Sequence, residues 1–555
     1  MTKKRLLAIA MLSGVLLSVA WIGTMALAPL MLVAFVPLLW VEDYISHNNE
    51  DKQFLSSAAF CYSYLPFLLF TLLNTYWISK ATSVAILVPF FEACLMALIF
   101  QVYHFTKKVS NNSVGSYFFL LLYWILFENI QFNWDLNFPW LNLGNSFANY
   151  PFLVQWYSIT GMEGGSIWIL LVNIFVYLWL RKKEKFTPNN LSLNIPEKRL
   201  FGKYLEGVCL LVVLLIPIVG SAYMWYSYKE ENTQKATVVI AQPNLDPYTE
   251  QYELSPYEVT QRTLNLISPY MDDEVDYVLM PESAIQEYAW EDHLDKVPSI
   301  EELNKFVNRW KKAEVVAGLS SKRKLVQGEK TPAARKIRGS IDEYYEACNI
   351  AVDIPRSGLI EDFQIHHKSV LTAGVEKMPF SKYLSFMEKL ALDMGGTVGS
   401  LGVDKDMVIF ISKTSGKKIA PIICYESADG NYIRKFTKEG AQALFVMTND
   451  GWWGDTPGYK QHFSFARLRA IENRRYVARS ANTGISGFIS PRGEILQRGK
   501  YWEEKALKQT IALQSQLTFF AANGDILTRP ISFIAGLLLA YSVIIRKTKK
   551  QEKQK

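Results

Sequence analysis

The chain has 555 residues, about three times the length of a typical single domain, so one compact core is not the plan. It is 50% apolar, 14% aromatic and 20% charged, which excludes an intrinsically disordered chain. The formal net charge of +7 is not gathered into a patch, so nucleic acid is not an expected partner, and five cysteines without a C-x-x-C spacing exclude a zinc ribbon or a thioredoxin-like site.

The apolar residues pile up before residue 227 and again after residue 530, as in a membrane protein. A helix needs about 20 mostly apolar residues to cross a bilayer. Runs near 6–22, 26–41, 54–74, 82–104, 116–133, 164–181, 204–226 and 530–545 meet that demand, the second and last being short, and predict eight spans. Lys3, Lys4 and Arg5 precede the first run, and Lys107 and Lys108 follow the fourth. Arg181, Lys182, Lys183 and Lys185 follow the sixth, with Lys198, Arg199 and Lys203 before the seventh, and the tail carries Arg546, Lys547, Lys549, Lys550, Lys553 and Lys555. The short loops of opposite parity (23–25, 75–81 and 134–163) hold only Lys80, so both termini are expected in the cytoplasm and residues 227–529 outside. The loop 42–53 is an acidic exception on the cytoplasmic side. A signal peptide ending at Ala26-Leu27-Ala28 is the rival reading of the start; Pro29 directly after that point disfavours it, and losing the first span breaks the charge parity. The expected plan is a bundle of seven spans in 1–226, an extracytoplasmic domain in 227–529, and a final span with a basic tail in 530–555.

Residues 227–529 have a different texture. Short β-rich runs at Ala236–Ala241, Val275–Met280, Val315–Leu319, Cys348–Val352, Ile419–Tyr425, Ala443–Thr448 and Ile485–Ile489 read as strands. Residues 461–479 carry Phe465, Leu468 and Ile471 at helical spacing, so strands alternate with helices in an α/β domain. The basic stretch 320–345 interrupts that rhythm and reads as a solvated, mobile loop, or alternatively as a flap touching anionic headgroups.

Three points end strands with chemically useful groups. Cys424 closes the run Ile419–Cys424 and leads into Tyr425, Glu426 and Ser427, where open α/β sheets place their ligands. Glu282 follows Met280-Pro281, and Lys368 follows His366-His367 after the strand-like Leu359–Ile365. Thiol chemistry needs a thiolate and therefore a base or cation nearby. Each residue also has an ordinary reading: a buried core cysteine, a helix-capping glutamate, a solvated lysine. A disulfide between Cys348 and Cys424 is a further alternative. His366 and His367 suggest a metal, but neighbours on a strand point to opposite faces and cannot share one ion.

The order Glu, Lys, Cys, each after a strand, resembles the triad of the nitrilase superfamily. With the spans, the chain is similar to the membrane-embedded apolipoprotein N-acyltransferases of that superfamily. The matching residues are Met280-Pro281-Glu282, His367-Lys368 and Ile422-Ile423-Cys424-Tyr425-Glu426, with Phe138-Pro139-Trp140, Asn449 to Asp455, Gln461-His462, Ala466-Arg467, Arg469-Ala470 and Arg479 to Ile485. One departure is that Leu371 is followed by Thr372-Ala373-Gly374-Val375-Glu376 rather than V-P-F-G-E, although Glu376 keeps its place eight residues after Lys368.

The resemblance implies an αββα sandwich over the bundle and a multi-pass enzyme of the bacterial inner membrane. Its reaction would pass a fatty acyl chain from a phospholipid to Cys424 and on to the free amine of a diacylglyceryl apolipoprotein. Glu282 would be the base, Lys368 would lower the thiol pKa and stabilise the oxyanion, and Glu376 would orient either of them. The backbone at Cys424, Tyr425 and Glu426 would add an oxyanion donor. Trp452 and Trp453, with Phe519 and Phe520, are expected as a lipid-contacting rim or as core, and Phe138-Pro139-Trp140 as a headgroup-level anchor. Glu128 and Glu163 should face a polar interior. No metal or cofactor is expected. The alternatives are a membrane-tethered amidase, in which water resolves the thioester, and a non-catalytic scaffold.

Overall fold

The computed structural model describes residues 1–21, 27–47, 54–181, 205–230, 234–251, 253–326, 329, 331–377, 400–404 and 406–552. The basic residues between 182 and 204, Ala26, Lys553 and Lys555 lie outside the described residues, as do Gln327, Gly328 and Lys330 of the basic stretch.

Helices stand at all eight expected runs: Lys3–Ala20, Val36–His47, Ala58–Thr75, Leu87–Val109, Phe119–Asn133, Tyr157–Arg181, Leu205–Ser227 and Thr528–Glu552. Short 3₁₀ turns extend several of them, and among the described residues seven stretches are long and apolar enough to cross a membrane. The remaining helix, Lys3–Ala20, has 18 residues and starts with three charges. Leu211, Ile216, Val219, Phe533, Leu537 and Ile544 are exposed on the last two helices, an outward apolar surface that suits lipid rather than water.

The acidic exception at 42–53 has a physical explanation. Glu42 and Asp43 belong to the Val36–His47 helix and are buried, and Lys107 bonds both carboxylates. Arg181 Nε lies 3.2 Å from Asp43, and His104 Nδ1 lies 2.8 Å from Glu42. The acids are partners of the very cations that follow the fourth and sixth runs. Buried charge inside a bundle persists only when paired in this way.

The domain beyond Ser227 is a sandwich of two sheets. The first holds β1 (Lys235–Gln242), β2 (Tyr277–Leu279), β3 (Ile285–Trp290), β4 (Glu314–Lys324), β5 (Arg335–Lys336), β6 (Tyr344–Ile354), β7 (Gln364–His367) and β14 (Lys505–Ala512). Its order is β14-β1-β2-β4-β6-β5, with β3 on β4 and β7 on β6. The second holds β8 (Phe410–Ile411), β9 (Lys418–Ile423), β10 (Ala443–Thr448), β11 (Tyr476–Ala481), β12 (Gly487–Ile489) and β13 (Ile495–Arg498), in the order β13-β12-β11-β10-β9-β8.

Alternation along each strand builds the layers. Val238 and Ile240 of β1 meet Phe445 and Met447 of β10 between the sheets, whereas Val239 and Ala241 turn outward under the helices Pro256–Ile267 and Pro298–Val307. Ile422, Val446 and Val477 of the second sheet pack under Gly430–Lys438 and Pro457–Asn473. Full burial of each such side chain contributes about 1.5–3 kcal/mol. The result is the expected αββα sandwich. Its core is continuous with the bundle's, because Tyr425, Ala428, Phe465, Leu468 and Ile471 pack among the membrane helices.

One sequence expectation fails here and another holds only in part. The helix expected over 461–479 ends at Asn473, because Arg474 turns left-handed (φ 50°) and Tyr476–Ala481 then pairs in parallel with β10. The stretch 320–345 is sheet at its two ends and at Arg335–Lys336, with turns and unpaired chain among the other described residues: β4 runs to Lys324 and pairs with β6 as far as Tyr345. Arg323 fixes this ribbon by bonding both Glu346 and Asp404, so its basic residues are partly spent inside the fold.

Candidate active site

Two left-handed residues mark where the chain turns out of the sandwich to present side chains. Ser283, after Glu282, has φ 55°, and Cys424, after β9, has φ 48°. Non-glycine residues hold such conformations at a cost of order 1–3 kcal/mol, and such strain gathers at functional sites. Gly318 of β4 makes room for the first turn, since a Cβ there would stand 2.8 Å from the Glu282 Cα. Lys368 directly follows β7, and its N–H continues the ladder to the Asn349 carbonyl at 2.8 Å.

The three expected catalytic side chains come together. Lys368 Nζ lies 2.7 Å from Glu376 Oε1 and 3.1 Å from Glu282 Oε1. Asn349 Nδ2 spans the same two carboxylates, donating at 2.8 Å to Glu282 and at 3.3 Å to Glu376. Thr372 N–H donates to the other Glu376 oxygen at 2.9 Å. Lys368 is almost wholly buried. Burial alone would lower its pKa, but the Glu282 and Glu376 carboxylates hold it well above the ordinary lysine value. Glu376 is the mirror case: burial would raise it, and Lys368 holds it below the usual range.

Cys424 departs from expectation. Burial raises its thiol well above the ordinary value, the Glu282 carboxylate adds to the rise, and the pull of Lys368 is too small to reverse it. The thiol therefore rests protonated, and activation requires a base at the moment of attack rather than a standing thiolate. Cys348 and Cys424 are both free, so the disulfide alternative is removed.

The side chains of Glu426 and Tyr425 hold the turn in place. The Glu426 carboxylate accepts from Ser369 N–H at 2.7 Å and from Ile423 N–H at 2.8 Å, with His366 Nε2 at 3.3 Å. One side chain thus ties the residue after Lys368 to the residue before Cys424. The Tyr425 hydroxyl donates to the Asn137 carbonyl at 3.0 Å, and its ring stacks on Trp140 (centroids 6.1 Å apart, planes at 9°).

Trp140 is not a headgroup-level anchor. It is buried at the seam between bundle and sandwich, against Phe465 (4.9 Å), His462 (5.6 Å) and Trp453 (5.8 Å), with its N–H on Gln461 Oε1 at 2.6 Å. Trp453 also meets Trp77 of the bundle at 4.6 Å, so it packs in this seam. Trp452 stands edge-on to Tyr248. Phe519 is exposed but Phe520 is fully buried, and a rim containing both is ruled out. Glu128 and Glu163 are buried as expected, Glu128 accepting from Leu143 N–H at 2.8 Å and Glu163 from Asn431 Nδ2 at 2.8 Å.

Sequence reasoning missed two supports. Asn349 is the first; its one signal is an amide within the apolar run of β6. The second is a buried chain behind Cys424. His462 Nε2 lies 2.8 Å from Ser427 Oγ and 3.1 Å from the Cys424 carbonyl, and its Nδ1 lies 2.8 Å from Asp450. Arg479 and Thr448 bond the same Asp450 at 2.7 and 2.8 Å. This chain grips the turn on which Cys424 is strained.

Residues 235–516 match the family model described as carbon-nitrogen hydrolase, and residues 13–175 match that of the apolipoprotein N-acyltransferase N-terminal domain. The chain is 29% identical over 543 residues to the apolipoprotein N-acyltransferase of Chlorobaculum tepidum, covering 96% of each chain. It is 27% identical over 519 residues to that of Rickettsia typhi, covering 91% of this chain and 94% of the relative. Among solved structures, a Saccharomyces cerevisiae member of branch 10 of the nitrilase superfamily aligns with 53% of this chain and 96% of its own, at 17% identity and a TM-score of 0.35.

Proposed function

We propose that this chain, which belongs to the carbon-nitrogen hydrolase family, moves a fatty acyl group from a membrane phospholipid to the terminal amine of a diacylglyceryl-cysteine on an apolipoprotein. Both steps pass through a thioester on Cys424. In the first, Glu282 takes the Cys424 proton as the sulfur attacks the phospholipid ester carbonyl. The Lys368 ammonium and backbone N–H groups of the Cys424 turn receive the oxyanion. The intermediate then expels the lysophospholipid alkoxide, which takes its proton back from Glu282. In the second, the acceptor amine attacks the thioester, Glu282 takes the amine proton, and the departing sulfur is reprotonated as the amide forms. Glu376 and Asn349 hold Lys368 and Glu282 in register throughout.

The observation that supports this best is where the cysteine turn lies. Tyr425 and Ala428, on the turn that follows Cys424, are packed in the core of the membrane bundle, so the cysteine turn adjoins the seam between sandwich and spans. A lipid ester and a lipid-anchored amine both reach such a seam without leaving the bilayer surface. The proposal includes a bacterial inner membrane, cytoplasmic termini, and an outward-facing 227–529 set between 1–226 and the final helix of 530–555.

Intact-protein mass tests it. Purified full-length protein incubated with phospholipid should gain a fatty-acyl increment that hydroxylamine removes and Cys424→Ala lacks. A diacylglyceryl peptide with a free amine should discharge the increment, and its N-acetylated form should not. Free fatty acid released at the same rate without any acceptor would instead identify a hydrolase.

A further inference from the structure

We propose that Cys348, His367 and Glu291 form a binding site for a transition-metal ion of the Zn²⁺ class on the back of the eight-stranded sheet, directly behind the catalytic lysine. Among the described residues, one atom from each of these side chains lies within 4.8 Å of the other two. The adjacent pair His366-His367 does not make this site. His366 points to Glu426 in the sandwich, whereas His367 faces the other way, toward Glu291. The ligands instead come from three places: Cys348 from β6, His367 from the end of β7, and Glu291 from just after β3.

Strand register explains why they converge. His367 is the cross-strand partner of Ile350 in β6. Two residues away on the same face lies Cys348, whose own partner on β4 is Ser321, and Ser321 Oγ donates to Glu291 Oε1 at 2.6 Å. The immediate chain neighbours Asn349 and Lys368 point to the opposite face, into the active site. An ion held by Cys348 and His367 would therefore clamp β6 to β7 at the point where both carry a residue of the Lys368 cluster.

The distances and charges suit such an ion. His367 Nε2 lies 3.0 Å from Glu291 Oε1, close to the roughly 3.3 Å between two ligands about 2.0–2.2 Å from one tetrahedral ion. His367 Nδ1 lies 2.6 Å from Asp404 Oδ2, the outer carboxylate that metal-bound histidines commonly have. Three carboxylates, Glu291, Glu346 and Asp404, surround the point, and Arg323 bonds only the last two. The surplus is negative, and a sulfur ligand beside an imidazole favours zinc over magnesium or calcium. Cys348 and His367 are nearly inaccessible, but the Glu291 side chain is 13% exposed and gives an ion an entry. Gly402 closes the opposite side, where a Cβ would stand 2.8 Å from Cys348 Sγ. Binding releases the Cys348 thiol proton and the proton that His367 Nε2 shares with Glu291 to solvent, and changes no oxidation state.

The test uses full-length protein in detergent, stripped with a chelator and titrated with Co²⁺ or Zn²⁺ alone. One equivalent should bind, and Co²⁺ should give a thiolate charge-transfer absorption. That absorption should persist in Cys424→Ala and vanish in Cys348→Ala, and Asp404→Asn should weaken Zn²⁺ binding about 10- to 100-fold. Added Zn²⁺ should raise the melting temperature of the stripped wild type but not of Cys348→Ala. Failure of wild type to retain metal at micromolar free Zn²⁺ would overturn the site, as would an absorption that survives Cys348→Ala. Should Cys348→Ala not fold, Asp404→Asn decides: unchanged affinity there refutes the proposal. The acyl-enzyme mass experiment is independent of all these outcomes.

Discussion

Replacing Lys368 with methionine keeps the volume of the side chain and removes only its charge. The buried ammonium at 2.7 Å from Glu376 and 3.1 Å from Glu282 is then gone, and two carboxylates face each other across Asn349. Removing one partner from a buried ion pair costs about 3–5 kcal/mol, which for a domain of this size corresponds to a fall of roughly 10 °C in melting temperature. The pH dependence has a definite sign. In the wild type, Glu376 is held below its usual value by Lys368, so its contribution to stability is present above the unfolded carboxyl pKa and is lost as pH falls. In the variant burial, the largest influence, is opposed only by the Thr372 N–H and Asn349 bonds, so Glu376 rises and the variant loses stability as pH rises instead. The gap between the two proteins should be widest near neutrality and should shrink as pH falls below the ordinary glutamate pKa. Adding Glu376→Gln to Lys368→Met should recover much of the lost stability and none of the acylation. Tryptophan fluorescence melts between acidic and neutral pH, with acyl-enzyme mass in parallel, measure both. A Lys368→Met protein that melts with the wild type at neutral pH would refute the charge balance, and one that acylates at the wild-type rate would refute the role of the lysine.

Glu282→Gln removes the carboxylate that helps to raise the Cys424 thiol, so iodoacetamide should alkylate Cys424 faster at mildly alkaline pH while phospholipid acylation stops. In the wild type, alkylation should keep climbing beyond the ordinary thiol pKa without a plateau, followed by mass spectrometry of the modified peptide. His462→Ala leaves the Cys424 carbonyl with Ser427 Oγ (2.7 Å) alone and cuts its link to Asp450, and should slow acylation at least tenfold with little change in global melting. Trp140→Ala deletes a fully buried indole from the seam and should cost about 3–5 kcal/mol, read as faster proteolysis. Gly161→Ala forces a side chain onto a left-handed residue (φ 69°) with the Phe520 ring 2.5 Å from the new Cβ, and should reduce the yield of folded protein.

Glu282, Lys368 and Cys424 are legible in the sequence by their order, each just after a strand, although Lys368 follows the polar strand Gln364–His367 and none of the three is decisive alone. The spans are legible because each is a continuous apolar run about as long as a bilayer is thick. What sequence could not supply was partnership across distance. Glu42 and Asp43 read as an acidic loop because their partners Lys107 and Arg181 are more than sixty residues away. Trp140 read as a headgroup anchor because nothing local reveals that it stacks on Tyr425. The helix over 461–479 was overextended because Arg474, which ends it, has no glycine to announce a left-handed turn. The net rise of the Cys424 thiol was out of reach as well, since its sign depends on burial outweighing one lysine, a balance set by packing.

That balance has a consequence for the proposed cycle. With the thiol protonated, the site holds Glu282 and Glu376 as anions and Lys368 as a cation, a net charge of −1. When Glu282 takes the proton, the oxyanion carries the displaced charge and the total is unchanged. After the leaving group takes its proton from Glu282, the thioester site again carries −1. No step asks a dry, buried site to gain or lose a charge, which would be its most expensive event. Each step only moves one negative charge between Glu282 and the oxyanion. The lysine's value lies in being fixed between those two positions, which is why Glu376 and Asn349 are needed to hold it. A resting thiolate would break this economy, adding a second uncompensated anion before any substrate had arrived. The raised thiol is thus the form in which this cysteine can wait at a lipid surface and still be activated by the ester that reaches it.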